Sequence, residues 1–548
     1  MAKTLKLDFN ERSDQNNPIT SDLSFGDSLW QYPDREPLEK LIAEQKGLSN
    51  DQVLATNGGD EAIMILMRIV NEGTKLILPL PAFSQYTWGI KSWKLAADVI
   101  PAKDDLSIDV EKIYQAIITN TQSVTVLTRP NNPTGESIDF DKLVDLIELA
   151  EENNGWVFLD EAYIEFSDEP SVSDKLLLQF DNLVILRTLS KAYGLAGIRL
   201  GYLLGSESLI NEFKIRCMPF NLPTPSIQIA LRALEKNNQL EMKNYCELVK
   251  QNRKQLFDWF CSVGIKAFPS QANFLLISLP EQQAEAIKSF LAKNNILVRS
   301  FNEGELSNCL RITIPVEITK LSALLKQCFQ PQLVCMDMDG VLIDTSGSYD
   351  QCVLATVKKL SGKNLTVESI EVLRRQGGFN NDWVVSKKLL DNLGYDISLE
   401  KVTEVFQLIY LGENNDGLVA NEDRIISSQL VSKIKQSIDT EFTVVTGRPR
   451  KEARSGQALV NLSELELISL DDVEQGKPSP EGIQKLQQKY SSSSWMCGDN
   501  PDDMQAAVSS NSLAIGIGEG KVETLYQTGA DIVLKDINEL ENWLCPIK

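Results

Sequence analysis

Histidine is missing from this 548-residue chain. That absence removes the Ser-His-Asp triad, the imidazole metal ligand and the one side chain that ordinarily titrates near neutrality. Any catalysis must run on Lys, Asp, Glu, Tyr, Cys or a bound cofactor. Positive charge is also short, with 54 Lys and Arg against 76 Asp and Glu and a net charge of −22. Nucleic-acid backbones and anionic lipid both attract a surplus of Lys and Arg, so neither nucleic acid nor membrane is expected as a partner. No apolar run approaches the roughly 18 residues that cross a bilayer, and the start, Met1 to Asp8, has no apolar core of the secretory kind. The nine cysteines form no CxxC pair. They read as free thiols in a reducing compartment, which points to the cytoplasm.

What is present is the alternation of an α/β protein. Strands are expected at Leu76 to Leu78, Val124 to Thr128, Trp156 to Asp160 and Leu183 to Arg187, with helices over Asp60 to Glu72 and Phe140 to Asn153. Ile229 to Ser262 reads as two more helices. Cys-Phe-Gln-Pro-Gln at 328–332 breaks the pattern, and a fresh strand, Leu333 to Asp337, opens a second α/β alternation. The domain boundary is placed near Pro331.

In the first half, four pieces sit where open α/β sheets hold ligands, at strand ends and helix starts. Thr56-Asn57-Gly58-Gly59-Asp60-Glu61 feeds an amphipathic helix, whose free N–H groups and positive dipole end suit an anion. Arg129-Pro130-Asn131-Asn132-Pro133-Thr134-Gly135 is a rigid turn offering side-chain amides. Asp160 follows four apolar residues, and burying that acid is costly unless it meets a cation. Lys191 lies in the small-residue run Thr188-Leu189-Ser190-Lys191-Ala192-Tyr193-Gly194, with Arg199 eight residues on.

In this order the four pieces resemble the fold-type I pyridoxal-phosphate (PLP) aminotransferases, histidinol-phosphate aminotransferases in particular, over roughly residues 5–325. The resemblance implies a large α/β subdomain at about 45–230 and a small α+β subdomain made of 1–44 plus 231–330, together forming a domain at 1–330. It implies that Lys191 condenses with the coenzyme aldehyde and shuttles the Cα proton, that Asp160 pairs with the pyridine nitrogen, and that Tyr163 and Asn132 bond the ring hydroxyl. Phe83 would stack on the ring, while Ser190, Arg199 and the amides of Gly59, Asp60 and Glu61 would hold the phosphate. Tyr32 matches a tyrosine that reaches the neighbouring subunit's phosphate, so a homodimer is implied. Arg311 occupies the substrate-arginine position, with Arg299 a second candidate. The turn Arg12-Ser13-Asp14-Gln15 departs from the family's Pro-Tyr-Gly lid, which leaves open a threonine-phosphate decarboxylase, a relative that shares most of these pieces.

The second half carries Asp337-Met338-Asp339-Gly340 after its first strand. Thr446-Gly447-Arg448 follows a second strand, Gly476-Lys477-Pro478 forms a turn, and Gly498-Asp499-Asn500-Pro501-Asp502-Asp503 ends a further strand. This series resembles the four motifs of the haloacid dehalogenase (HAD) superfamily over about 332–548. It implies a Rossmannoid core at 331–345 plus 431–548 and a helical C1 cap at 346–430. Asp337 would be the nucleophile and Asp339 the acid/base. Thr446 and Lys477 would bind the phosphoryl oxygens. Asp337, the carbonyl of Asp339 and Asp499 would hold Mg²⁺, with Asp503 assisting. Carboxylates so crowded are tolerable only around a cation, and hard oxygen ligands select Mg²⁺. Gln376 to Trp383 reads either as a substrate-specificity loop or as a helix–helix turn.

The whole is expected to be a bifunctional enzyme acting on small molecules, an amino-acid and oxo-acid pair and a phosphoester, in the manner of histidine biosynthesis. The alternative is that one domain is a degenerate binding or regulatory module.

Overall fold

The structure is a computed structural model that describes residues 4–12, 29–280, 282–301, 304–374, 379, 381–413 and 416–544. Parts of two expected features, the turn at 12–15 and the loop at 376–383, lie outside these residues. The chain divides into two compact units, residues 1–279 with 294–320 and residues 280–293 with 321–548.

Among the described residues the first unit holds two sheets. Its strands are β1 (Leu5–Leu7), β2 (Val53–Thr56), β3 (Leu76–Pro79), β4 (Ala97–Ile100), β5 (Val124–Thr128), β6 (Trp156–Asp160), β7 (Leu183–Thr188), β8 (Gly201–Gly205), β9 (Lys266–Ala267), β10 (Phe274–Ser278), β11 (Ile296–Phe301) and β12 (Cys309–Thr313). The large sheet runs β2-β8-β7-β6-β5-β3-β4, and β8 alone opposes the others. Its central strands are apolar on both faces because helices cover both. The helix Phe140–Glu152 shows how: Asp139 caps it by accepting from the amides of Asp141 and Lys142, and Leu143, Leu146, Ile147 and Ala150 form its buried stripe. The segment expected as two helices is Thr224–Ala233 and Lys236–Ser262. The smaller sheet runs β1-β11-β12-β10-β9.

The second unit is built on a parallel sheet of β13 (Leu333–Met336), β16 (Glu441–Val445), β17 (Glu466–Ile468), β18 (Ser494–Gly498), β19 (Leu513–Ile517) and β20 (Ile532–Leu534), ordered β17-β16-β13-β18-β19-β20. Between β13 and β16 the chain leaves the sheet through a two-stranded ribbon, β14 (Ile343–Asp344) against β15 (Asp423–Arg424). It forms the helices Tyr349–Ser361, Val367–Arg374, Asp382–Asn392 and Leu399–Leu411. This insert has its own apolar core, including Val353, Ile370, Leu390 and Phe406.

The division between units falls at Lys320, short of the Pro331 boundary, and it takes the helix Gln283–Lys293 into the second unit. Polar contacts within the second unit accompany this division. Ser289 Oγ and Lys293 Nζ donate to Asp531 Oδ1 at 2.9 and 2.6 Å. Trp495 Nε1 donates to the Gln327 carbonyl at 2.6 Å, and Gln327 Nε2 to the Asn511 carbonyl at 2.8 Å.

Candidate active sites

In the first unit the four sequence pieces meet at the C-terminal ends of β2, β5, β6 and β7. Asp160 ends β6 and is buried, with 7% of its surface exposed. Its Oδ2 accepts from the Tyr86 hydroxyl at 2.8 Å and its Oδ1 from the Ala162 amide at 3.0 Å. The charges bearing on it, Glu161 and Asp60, are both negative, and burial pushes its carboxyl up to about 6. A buried carboxylate held by neutral donors fits a ligand that brings its own N–H cation.

Lys191 Nζ donates to the Phe9 carbonyl at 3.0 Å and lies 5.6 Å from the Tyr163 ring centre. The Tyr163 hydroxyl accepts from Asn10 Nδ2 at 3.1 Å and from Asn132 Nδ2 at 3.4 Å. Arg311 Nη1 donates to Asn132 Oδ1 at 2.6 Å and Nη2 to the Asp8 carbonyl at 2.7 Å, while Nε is buried with no partner. Burial pushes this guanidinium down from its usual range. A buried cation facing an amide oxygen and a backbone carbonyl is suited to an incoming anion.

A second corner whose groups suit an anion lies at the start of the helix Gly58–Asn71. Arg199 reaches it, bonded to Asp60 Oδ2 at 2.6 Å. Gly58 has φ +73°, and a Cβ there would stand 2.6 Å from Arg199 Nη2, so only glycine lets the guanidinium approach the helix N-terminus. Glu61 accepts from the Asn57 amide and from Asn221 Nδ2 at 2.6 Å. Gly59 sits in the same first turn, and Ser190 is buried, bonded to Thr188 Oγ1 at 2.9 Å. Phe83 precedes the helix Ser84–Trp93, edge-on to Tyr86 at 6.4 Å. Two of the candidates stand apart from these contacts. Tyr32 is 81% exposed and stacked on Phe220 at 4.5 Å. Arg299 is exposed on β11 opposite Arg311, and both guanidiniums lie over the Phe301 ring.

In the second unit Lys477 Nζ is shared between Asp337 Oδ1 at 2.7 Å and Asp503 Oδ1 at 2.6 Å. Carboxylate oxygens of Asp337, Asp499 and Asp503, all buried, lie within 4.8 Å of one another. Burial pushes the Asp337 and Asp503 carboxyls up, against the opposing pull of Lys477. Lys521 Nζ reaches Asp499 Oδ2 at 2.5 Å from a half-exposed position. Gly340 has φ +70°, and a Cβ there would fall 2.3 Å from Asp499 Oδ2, so the DxDG glycine makes room for that carboxylate. Three buried carboxylates, two just past strand ends and one in the first turn of the helix Pro501–Ser509, suit a hard divalent cation. Thr446 is buried and lines a small cavity with Gly447, Ser469 and Lys477. The Asp339 side chain is not in the three-acid cluster; it turns to Arg448, at 2.5 Å.

Tyr86, Asn10, Arg448 and Glu422 were given no role by the sequence reading. Each is bonded to a partner remote in the chain; Asn10, in the Asn10-Glu11 pair, and Arg448, directly after Thr446-Gly447, carried a local signal.

The family model described as aminotransferase class I and II matches residues 20–326. The chain belongs to that family. This aminotransferase continues into a match to the haloacid dehalogenase-like hydrolase model over residues 331–511, so the protein is an aminotransferase fused to a HAD-type phosphatase. A histidinol-phosphate aminotransferase of Thermoanaerobacter sp. is 33% identical over 288 residues, 52% of this chain and 79% of that protein. A bifunctional histidine biosynthesis protein of Photorhabdus laumondii is 36% identical over 294 residues, 52% of this chain and 36% of that protein. Among solved structures, the histidinol-phosphate aminotransferase of Clostridium acetobutylicum matches with a TM-score of 0.53 and 24% identity, covering 59% of this chain and 97% of that one. The first unit thus has the fold of the fold-type I PLP enzymes. No helix among the described residues is long and apolar enough to cross a membrane.

Proposed function

We propose that the protein is a cytoplasmic, homodimeric bifunctional enzyme. Residues 1–330 would transfer an amino group between glutamate and a small phosphorylated oxo compound of the histidinol-phosphate type. Residues 331–548 would hydrolyse a small phosphomonoester. The observation that carries the first assignment is the buried Asp160, bonded by a phenol and an amide and by no cation.

PLP fits this pocket, where it supplies an electron sink for breaking the Cα–H bond of the amino donor. Asp160 would hold the proton on the ring nitrogen, with Tyr86 fixing the orientation of that carboxylate. Tyr163 and Asn132 would bond the ring hydroxyl, and Phe83 would cover the ring. Arg199, Ser190 and the first-turn amides of Gly59, Asp60 and Glu61 would hold the phosphate. Lys191 would supply the condensing amine and a base for the Cα proton. Arg311 receives the substrate anion, with Arg299 next to it on the neighbouring strand. Tyr32, exposed on one chain, would complete the pocket of a second copy.

In the other domain the Asp337, Asp499 and Asp503 cluster would hold Mg²⁺, with the Asp339 carbonyl as a further ligand, and the ion would offset charge on the phosphoryl oxygens. An Asp337 oxygen attacks phosphorus and forms an aspartyl-phosphate as the bond to the leaving oxygen breaks. Asp339 gives that oxygen a proton and later takes one from the attacking water. Lys477 and Thr446 steady the transferring group. The helical insert would serve as a cap that excludes water and selects small esters.

Glutamate with imidazole-acetol phosphate should yield 2-oxoglutarate, and L-histidinol phosphate with Mg²⁺ should release phosphate that EDTA abolishes. Formation of CO₂ from threonine phosphate without 2-oxoglutarate would replace the first assignment by the decarboxylase reading.

A further inference from the structure

We propose that Arg448 is a positioning residue for the phosphatase acid/base, aligning Asp339 through a relay that runs Asp339–Arg448–Glu422 to the roots of the helical insert. The inference deepens the phosphatase reading and rests on it. Arg448 is 3% exposed, and its guanidinium fork is divided between two acids. Nε and Nη2 donate to Asp339 Oδ1 at 2.8 and 2.5 Å. Nη1 and Nη2 donate to Glu422 Oε2 and Oε1, each at 3.0 Å. The Tyr349 ring lies 4.9 Å from the guanidinium carbon, a favourable stacking distance.

Glu422 would alone compensate a buried arginine. The division of the fork needs another reason, and the positions of the partners supply it. Glu422 is itself buried, and its Oε1 also accepts from Ser348 Oγ at 3.1 Å and from the Tyr410 hydroxyl at 2.9 Å. Ser348 directly precedes the first helix of the insert, and Glu422 directly precedes β15. Both chain crossings between sheet and insert are therefore tied to one carboxylate, and that carboxylate to the arginine that grips Asp339. Both bonds from Arg448 fall on Oδ1 of Asp339, leaving Oδ2 for the leaving-group oxygen. Planar, forked donation from a buried arginine fixes a carboxylate's orientation as a lysine would not.

Orientation of Asp339 matters to one bond-breaking event. As the bond from Asp337 to phosphorus forms, the bond to the leaving oxygen breaks, and that oxygen takes the proton carried by Asp339. An alkoxide leaves only with that proton, whereas nitrophenolate leaves without it. Losing the relay should therefore show as a split between substrates in kcat/KM, which reports only the steps up to the first irreversible one.

The test compares β-glycerol phosphate with p-nitrophenyl phosphate on the full chain with Mg²⁺, using Asp337→Asn as the blank. In Arg448→Met, kcat/KM for the alkyl ester should fall about 100-fold and for the aryl ester less than about 5-fold. Glu422→Gln should give the same split at about 10-fold, and Arg448→Lys should lie between Arg448→Met and the native protein. If Arg448→Met does not fold, the other two variants carry the test. Equal losses on both esters, or no loss on either, overturn the relay while leaving the phosphatase intact. A native protein that hydrolyses neither ester overturns the phosphatase reading and the relay with it.

Discussion

Asp160 and Asp337 stand at like places, each at the C-terminal end of a buried parallel strand, yet their surroundings differ in kind. Asp160 is met by a phenol and a backbone amide, and the charges near it are negative. Asp337 is met by the ammonium of Lys477 and crowded by Asp499 and Asp503. In the first pocket no cation bonds Asp160, and the guanidiniums of Arg199 and Arg311 are bonded to other groups, Asp60 and Asn132. That is the complement of a flat ligand with a protonated ring and a separate phosphate. The second gathers more negative charge than its lysines balance, the complement of a small hard cation and, beyond it, a phosphoryl group. Folds of the same α/β grammar are thus set for two chemistries by what faces one acid.

The largest effect should come from the crowded site. Asp337→Asn should lower phosphate release at least about 10⁴-fold, since the nucleophile itself is lost. Retained hydrolysis would show that the crowding serves another purpose. Next comes the solitary acid. Asp160→Asn keeps its shape but not its charge, and should lower the turnover of 2-oxoglutarate formation about 10²- to 10³-fold. A change below about threefold would mean that no cationic ring faces it.

The smallest effect is on stability. Burial holds the folded Asp160 carboxyl at about 6, above the ordinary value of about 3.9. The folded state therefore keeps this proton more tightly than the unfolded one. The cost of ionising it is absent below about pH 4, grows between about pH 4 and 6 and is complete above that, reaching about 3 kcal/mol in the coenzyme-free protein. Urea midpoints of the coenzyme-free native protein, compared with those of Asp160→Asn, should show a contribution that falls across this window and is missing in the variant. Tyr86→Phe should deepen the fall, because it removes a donor that favours the ionised form. Parallel curves for all three proteins would contradict the solitary-acid picture.

How much of this was legible in the sequence follows from distance along the chain. β5, β6 and β18 fall where their continuous apolar runs and flanking turn residues placed them, and Asp160, Lys191, Asp337 and Asp499 are found at strand ends. Those signals are local. The Tyr86–Asp160 bond spans 74 residues and the Arg448–Asp339 pair 109. Strand order and the ribbon under the helical insert create both, and neither leaves a pattern within a short window. The helix Gln283–Lys293 is similar: Lys293 bonds Asp531, 238 residues on, and the helix falls in the second unit. Tyr32 and Arg299 show the converse. Tyr32 came from its match to a family tyrosine and Arg299 only as a second candidate to Arg311, and both are exposed.

The most direct test of the account follows 2-oxoglutarate and phosphate together in one preparation of Lys191→Ala, given glutamate, imidazole-acetol phosphate, L-histidinol phosphate and Mg²⁺. Two separate chemistries on one chain predict that 2-oxoglutarate formation disappears while phosphate release from histidinol phosphate continues. Undiminished 2-oxoglutarate, or the loss of both products, would contradict it.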